Sequence, residues 1–431
     1  MNRFMRYVFL LLFFLSVVGV AQQGQTPTDQ KETDNPFSQS KFVPDISFIL
    51  DATYLHRDVR DDNFNAFEVP GFLHSPNEEG KSDEMNSRNG FNLNYGELAL
   101  TSTVDPYFDV TGIFHIRPAG LEMEEGFFIT RNIPLGFQIK GGKFLSGFGR
   151  INEQHAHYWN FASIPLVYKA FFGPEGLNEI GAQVSWVAPT DLYLMFGGEI
   201  LQGENEASFG VNGFNDPLNV ANIASSNGPN LFTGFVRTSF DVGDVVCLAG
   251  VSGAFGKHRL NNGIDAFNIN GSASYGDTKI FGANLNIKYL IFSDQDVTFQ
   301  TEYLYRMMSG DFYFRENDTT VVKDNLDQKQ SGLYTQLVFK YSKNWKVGIR
   351  YDALVQNDIE HNTVRQDNPT SFPQITGMIE YNPTEFSRLR LEYIHDRTKY
   401  LATENGFTQK TSNTILFEVN LVIGAHGAHS F

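Results

Sequence analysis

The residues best suited to chemistry lie close together in one polar and aromatic segment of the chain. Residues 147–178 read GFGRINEQHAHYWNFASIPLVYKAFFGPEGLN. In an extended chain His155 and His157 point to one side, and Glu153 has the same parity. Imidazole and carboxylate groups are ligands for divalent ions such as Zn²⁺. His155 and His157 are therefore candidate metal ligands; the competing interpretation is that they only hydrogen-bond the segment to its surroundings.

Signatures of catalysis are sparse in the rest of the sequence. It holds no Gly-x-Ser-x-Gly motif, and no histidine lies in a recognisable nucleophile context. We therefore predict no enzyme activity, no catalytic residue and no cofactor. The formal net charge of −16 also argues against binding to nucleic acid, which is itself an anion.

The elements that must position these residues are predicted to be β-strands. Along 345–351, apolar residues alternate with Lys346, Gly348 and Arg350. The same period of two recurs along 281–289, 387–395 and 415–423. Because successive side chains of a strand point to opposite faces, each segment would have one apolar face and one polar face.

The connections between these strands alternate in length. Short connections rich in Pro, Gly, Asp, Asn and Ser are predicted turns, at 105–106, 134–136, 188–191, 242–244, 293–296, 342–344 and 382–385. The others are mostly long and polar: 56–91, 146–178, 203–230, 259–277, 309–330, 356–372 and 398–412, with a short one near 117–120. This alternation predicts an all-β fold, a transmembrane antiparallel β-barrel of about 16 strands with long outer loops and short periplasmic turns.

The first residues have the composition of an export signal. Arg3 and Arg6 precede an apolar run at 8–20, and small residues lead up to Ala21. We expect residues 1–21 to be a signal peptide, 22–41 a disordered periplasmic lead-in, and 42–431 a barrel in the outer membrane of a Gram-negative bacterium. The last residue, Phe431, resembles the terminal signal that the outer-membrane assembly machinery reads.

Strand parity also predicts which charges face the interior of the barrel. The predicted lumen wall carries both signs of charge, on Lys288, Glu302, Arg306, Lys346, Arg350, Arg388, Arg390 and Glu392. The third long connection, 146–178, combines charges with aromatic residues that a loop in water has no physical reason to carry. We expect this third loop to fold into the lumen and to form a constriction with Arg150, Glu153, His155, His157 and Lys169.

Several stretches resemble a family of porin-like outer-membrane proteins. They are 92–105, 143–186, 189–209 and 422–431, and the stretch through the third loop is the most specific. Some members are labelled zinc-regulated TonB-dependent receptors. A TonB-dependent receptor has a plug domain and about 22 strands, which this chain is too short to hold. Members often carry a His-rich first loop, whereas 74–83 holds one histidine.

The resemblance and the predicted wet lumen together imply a channel for passive diffusion of small polar or ionic solutes. A substrate-specific receptor or uptake protein, for a metal ion or metal complex, is the alternative, and a structural or adhesive barrel with a blocked lumen is a third. The expected partners are outer-membrane lipids, the assembly machinery and the solutes themselves. Homotrimers, frequent among 16-strand porins, are expected by analogy. Acidic outer loops and a basic wall leave the ion preference open.

Overall fold

A computed structural model of the chain describes residues 44–72, 84–265, 271–403 and 406–424. The predicted signal peptide, the lead-in at 22–41, the single-histidine stretch at 74–83 and Phe431 lie outside these residues. Within the described ranges, none of the helices has the length and apolar character needed to cross a membrane.

Sixteen strands of at least nine residues form the wall in the described part of the chain. They are β1 (Asp45–Arg57), β2 (Gly90–Thr103), β3 (Phe108–Arg117), β4 (Gly120–Thr130), β5 (Phe137–Leu145), β6 (Asn178–Val187), β7 (Tyr193–Leu201), β8 (Leu231–Val242), β9 (Val245–Asn262), β10 (Ser272–Phe292), β11 (Gln295–Asn317), β12 (Thr320–Lys340), β13 (Trp345–His361), β14 (Phe372–Thr384), β15 (Ser387–Thr403) and β16 (Gly406–Ile423). Consecutive strands pair antiparallel, and β1 pairs with both β2 and β16. The sheet therefore closes on itself, and the prediction of a 16-stranded antiparallel barrel is confirmed.

Short elements occupy the connections. Two helices, α1 (Asp61–Asn65) and α2 (Leu166–Phe172), lie in the first and third loops. Single 3₁₀ turns form at Pro134–Gly136 and Ala156–Tyr158. The fourth loop holds a small hairpin of Phe214–Asn215 and Asn222–Ile223, and Val364–Arg365 pairs with the end of β13.

The two faces of the wall differ as the period of two predicts. On β13, Trp345, Val347, Ile349 and Tyr351 are 43–54 % exposed, whereas Arg350 is 2 % exposed. The exposed positions form an apolar outer band that suits lipid, and the charged positions point inward. This is the arrangement of a barrel that spans an outer membrane.

The predicted turns are confirmed, and several predicted loops are wrong in extent. All seven turns join strands at the positions predicted from sequence. The segment 309–330, however, is mostly a hairpin of β11 and β12 with only residues 318–319 between them. The described residues of segments 259–277, 356–372 and 398–412 likewise include the ends of neighbouring strands. Polarity beyond the membrane does not stop strand pairing, and cross-strand pairs such as Lys323–Asp311 (2.9 Å) support it.

A β-bulge in β2 resets its parity near the position where the sequence alternation fails. The pairing of β1 with β2 skips Asn94, because Asp51 faces Tyr95 and Ala52 faces Leu93. Leu93 is therefore exposed on the outer face, whereas Tyr95 and Glu97 are buried inside. Because of this bulge, the Glu97 carboxylate of β2 points into the barrel.

The hydrophobic core lies inside the barrel and is built largely by the third loop, residues 146–177. Its buried apolar side chains pack against inward residues of the wall from β5 round to β15: Phe144, Leu201, Leu231, Ala254, Ile280, Leu304, Tyr334, Leu354, Phe372 and Tyr400. Phe72 of the first loop stacks on Phe171, with ring centroids 6.2 Å apart. The first loop thus packs against the third loop.

Candidate functional site: the third loop and the interior wall

The third loop leaves β5 through a glycine-spaced stretch that lies directly against the wall. A Cβ on Gly147 would lie 2.4 Å from the Phe235 ring. Gly149 has φ +72°, and a Cβ there would lie 1.9 Å from the Tyr168 hydroxyl. Only glycine fits both positions. The chain therefore turns inward at 147–149 instead of continuing towards the outer surface.

One wall carboxylate anchors the start of the loop. Glu302 on β11 accepts hydrogen bonds from the backbone N–H groups of Arg150 (2.8 Å) and Ile151 (2.9 Å). It also accepts from the hydroxyls of Tyr168 (2.8 Å) and Tyr334 (2.6 Å). Four donors thus satisfy a carboxylate that is 1 % exposed.

Wall residues of β13 hold the middle of the loop. Arg350 donates to the carbonyl oxygen (2.8 Å) and hydroxyl (2.9 Å) of Ser163. Asp352 accepts from the backbone N–H of Leu166 at 2.9 Å. Arg350 and Asp352 also pair with each other at 2.8 Å.

Wall residues of β15 bind the loop in the same way. Arg388 donates to the carbonyl of His157 (2.6 Å) and Arg390 to that of Trp159 (2.8 Å). Glu392 accepts from the backbone N–H of Ala162 at 2.8 Å. These buried wall charges therefore satisfy the hydrogen-bonding groups of the loop backbone.

These wall cations are also paired with wall carboxylates. Arg390 lies 2.8 Å from Glu380 and 3.0 Å from Glu418, and Arg388 lies 3.0 Å from Glu418. Lys346 lies 3.1 Å from Glu380. The cluster carries nearly balanced charge, so it does not present a free basic surface to the lumen.

The other predicted wall residues face the interior in two different settings. Arg306 is buried, donates to Ala207 O (3.0 Å) and Ser208 Oγ (2.8 Å), and lies 4.5 Å from the centre of the Phe171 ring. Lys288, near the turn end of β10, pairs with Asp296 at 3.2 Å and keeps 37 % of its side chain exposed.

The five predicted constriction residues lie in three separate places. Arg150 and Glu153 pair at 3.0 Å, and Glu153 also pairs with Arg237 of β8 at 2.6 Å. Lys169 reaches Glu84 of the first loop at 2.7 Å. His155 and His157 lie against β2 and β4.

A polar crevice remains between the third loop and the wall from β4 to β8. Its volume is ≈ 240 Å³, and its lining is Glu125, Phe127, Lys140, Leu145, Gly147, Glu153, Gln183, Met195, Phe235 and Arg237. Lys140 Nζ lies 4.1 Å from the Phe127 ring centre and 4.7 Å from that of Phe144. The crevice therefore brings two cations and two carboxylates to one space bounded by the loop.

The two loop histidines contact a group of wall carboxylates. His155 Nε2 lies 2.9 Å from Glu125, and its Nδ1 lies 3.5 Å from Glu124. His157 Nδ1 lies 3.4 Å from Glu97. Burial opposes a charge on His155, but Glu124 and Glu125 outweigh burial and raise its pKa well above the ordinary value. Burial lowers the pKa of His157.

Comparison with known proteins fits this architecture. No family model matches the chain. An uncharacterized protein of Aquifex aeolicus (strain VF5) is 44 % identical over 401 residues, which cover 92 % of this chain and 82 % of that protein. The chain belongs to the same family as this Aquifex protein. The fold of the present chain is that of a porin-like outer-membrane β-barrel.

Solved structures share this fold at low sequence identity. OmpT, an outer-membrane protein of Vibrio cholerae, superposes with a TM-score of 0.51 at 10 % identity, over 90 % of this chain and 99 % of that one. An anion-selective porin from Comamonas acidovorans gives a TM-score of 0.50 at 12 % identity, over 89 % and 100 % of the two chains. The similarity between this chain and these structures is therefore a similarity of fold.

Sequence reasoning missed several interior residues of this porin-like barrel. Gln183 and Arg237 of the crevice were detectable in principle, because each alternates with outward apolar neighbours along its strand. Glu97 was hidden by the bulge at Asn94, which reverses the parity of β2. Glu124 and Glu125 are adjacent, and the pairing of β4 with β3 skips Glu124, an irregularity that strand parity does not predict.

Proposed function

We propose that this porin-like barrel is a non-enzymatic outer-membrane channel through which small polar or ionic solutes diffuse passively along the crevice. The observation that carries the proposal is the contrast between the two kinds of contact the third loop makes. Most of the loop packs against the wall through buried apolar side chains. Beside β4 to β8, charged and amide groups line an open space instead. A hydrated solute is better accommodated by such groups than by an apolar core.

The size and charges of the crevice suit a small solute. A space of ≈ 240 Å³ accommodates an ion with part of its hydration shell or a small organic molecule. Arg237 is engaged by Glu153 at 2.6 Å, and Glu125 by His155 at 2.9 Å. Lys140 contacts only aromatic faces through its ammonium group in the contacts recorded for the described residues. It is therefore the cation best placed to meet an anion, which predicts a weak preference for anions.

The experiment is a reversal-potential measurement in a salt gradient across a planar lipid bilayer. Wild-type protein should show a weak anion preference, and Lys140→Glu should shift the reversal potential toward cations because it reverses the charge inside the crevice.

The matched control is Lys343→Glu, at an exposed position in the turn between β12 and β13. It makes the same change in net charge outside the crevice and should leave selectivity close to wild type. Equal shifts in both variants, or none in either, would contradict the crevice as the solute path.

A second candidate function is a substrate-specific receptor or uptake protein, for a metal ion or metal complex. The extensive apolar packing of the third loop favours it, because such packing suits a barrel that opens only for its substrate. Bilayer measurements separate the two: a receptor of this kind gives no ion current at rest, whereas a passive channel conducts without a trigger.

The proposal extends to a homotrimer embedded in outer-membrane lipids. Its support is the fold shared with the trimer form of Vibrio cholerae OmpT, at a TM-score of 0.50 and 11 % identity. Chemical cross-linking of the detergent-solubilised protein should give a band at three times the monomer mass.

A further inference from the structure

Six titratable side chains meet where the third loop contacts the outer half of β3 and β4. Glu97, His115, Glu124 and Glu125 come from the wall, and His155 and His157 come from the loop. Glu97, His115, Glu125 and His157 are at most 5 % exposed. Glu124 and His155 keep 19 % and 13 % of their side chains exposed. The cluster is therefore nearly dry, yet a small ion can reach its edge from solvent.

Nitrogen and oxygen atoms in this cluster have separations that suit a tetrahedral metal. Single ligand atoms of Glu97, Glu124 and His155 all lie within 4.8 Å of one another. His155 Nδ1 is 3.5 Å from Glu124 and 3.8 Å from Glu97, and His157 Nδ1 is 3.4 Å from Glu97. Bonds of 2.0–2.2 Å to a tetrahedral Zn²⁺ place ligand atoms about 3.3–3.6 Å apart. Glu97, Glu124 and His155 therefore need to move little to bind one ion, whereas His157, which lies outside this group, has to approach it from beside Glu97.

Two imidazole nitrogens in the cluster lack a hydrogen bond. His155 Nδ1 and His157 Nδ1 are buried and make no hydrogen bond among the described residues. His157 is 3 % exposed, so water does not readily compensate. A buried ring nitrogen aimed at carboxylates is costly unless a positive charge, a proton or a metal ion, lies between them. A cation would satisfy both nitrogens and both carboxylates at once.

The hydrogen bonds around the cluster resemble the outer shell of a metal site. His155 Nε2 lies 2.9 Å from Glu125, a contact that holds the ring through Nε2 while a metal ion displaces the proton of Nδ1. Arg117 donates to His115 Nδ1 at 3.2 Å, and His115 Nε2 lies 2.6 Å from Glu124 and 3.4 Å from Glu97. His115 thus orients a carboxylate, and the ligand set is formed by the other residues.

We propose that Glu97, Glu124, His155 and His157 bind one divalent transition-metal ion, such as Zn²⁺, that fixes the third loop to the wall. Mixed imidazole and carboxylate ligands favour Zn²⁺ over Mg²⁺ or Ca²⁺, which prefer oxygen ligands. Two ligands come from adjacent parts of the wall and two from the loop, so the bound ion links them. The site does not depend on whether the barrel conducts.

The test is calorimetric titration of metal-stripped, detergent-solubilised full-length protein with ZnCl₂. Wild type should bind one saturable equivalent. His155→Ala should abolish that binding, and Glu125→Gln, which weakens the support of His155 without removing a ligand, should weaken it by about 10–100-fold. Co²⁺ in place of Zn²⁺ should give the intense visible absorption of a four-coordinate ion in wild type and not in His155→Ala.

The control variants are His395→Ala and Glu316→Gln, which remove a histidine of β15 and an exposed carboxylate of β11 outside the cluster. Both should bind Zn²⁺ like wild type. Absence of saturable binding in wild type, or unchanged binding in His155→Ala, would overturn the proposal and leave a network of imidazolium–carboxylate pairs. Loss of the heat-modifiable gel shift would show that His155→Ala does not fold. In that case Glu125→Gln is the deciding variant, and a Zn²⁺ affinity equal to that of wild type would overturn the proposed site.

Discussion

Barrels that lack Ile151–Pro165, with a short glycine linker in their place, should conduct several-fold more current per channel than wild type. The deleted residues carry Trp159, Phe161 and Ile164, whose buried side chains fill the space between the wall strands. A 16-stranded barrel without this filling encloses a lumen wide enough for water. Single-channel recordings in planar bilayers measure the change directly.

The control for this deletion removes 366–369 from the loop between β13 and β14, which contributes no residue to the crevice lining. That variant should keep the wild-type conductance. A folded barrel without Ile151–Pro165 whose conductance equals that of wild type would contradict the role of the third loop as the element that narrows the channel.

Replacing Arg390 by alanine should destabilise the barrel by about 3–5 kcal/mol, because it leaves buried carboxylates without their partner. Arg390 is 1 % exposed and lies within 3.0 Å of both Glu380 and Glu418. It also donates to the carbonyl of Trp159, so the third loop should loosen as well. Urea titration of the protein in lipid vesicles, read by tryptophan fluorescence, gives the free energy of unfolding.

Two further variants make the stability prediction specific. Arg397→Ala, at an exposed position of the same strand, should change the free energy of unfolding by less than about 1 kcal/mol. Adding Glu380→Gln to Arg390→Ala should recover part of the loss, because one unpaired charge is removed. A destabilisation by Arg390→Ala no larger than that of Arg397→Ala would show that the buried charges do not secure the wall.

The wall could be predicted from sequence because its signals are local. Alternation such as that of 345–351 needs only neighbouring residues, and the turns are encoded by a few Pro, Gly, Asp and Asn residues. The outer ends of the long hairpins were predicted to be loops, because their residues are polar. Lys323 and Asp311 are polar and still belong to paired strands.

The interior could be predicted only in part, because its contacts join distant parts of the chain. Parity places Glu302 inside, but not its bonds to the backbone of Arg150 and Ile151, which lie about 150 residues earlier. Parity likewise predicts an inward Arg390 without indicating that Glu380 and Glu418 neutralise it. The predicted wall residues are mostly basic, but the charges of the wall nearly balance once the strands and the third loop are assembled.

The most direct test of the crevice as the solute path is chemical modification of a cysteine placed within it. Gln183 lines the crevice, and Cys247 is the single native cysteine, so Gln183→Cys in a Cys247→Ala background offers one reactive thiol. Reaction with a charged methanethiosulfonate reagent during a bilayer recording should reduce the current by more than half, and the Cys247→Ala parent should not respond. A conducting Gln183→Cys barrel whose current stays unchanged after complete modification would contradict passage through the crevice.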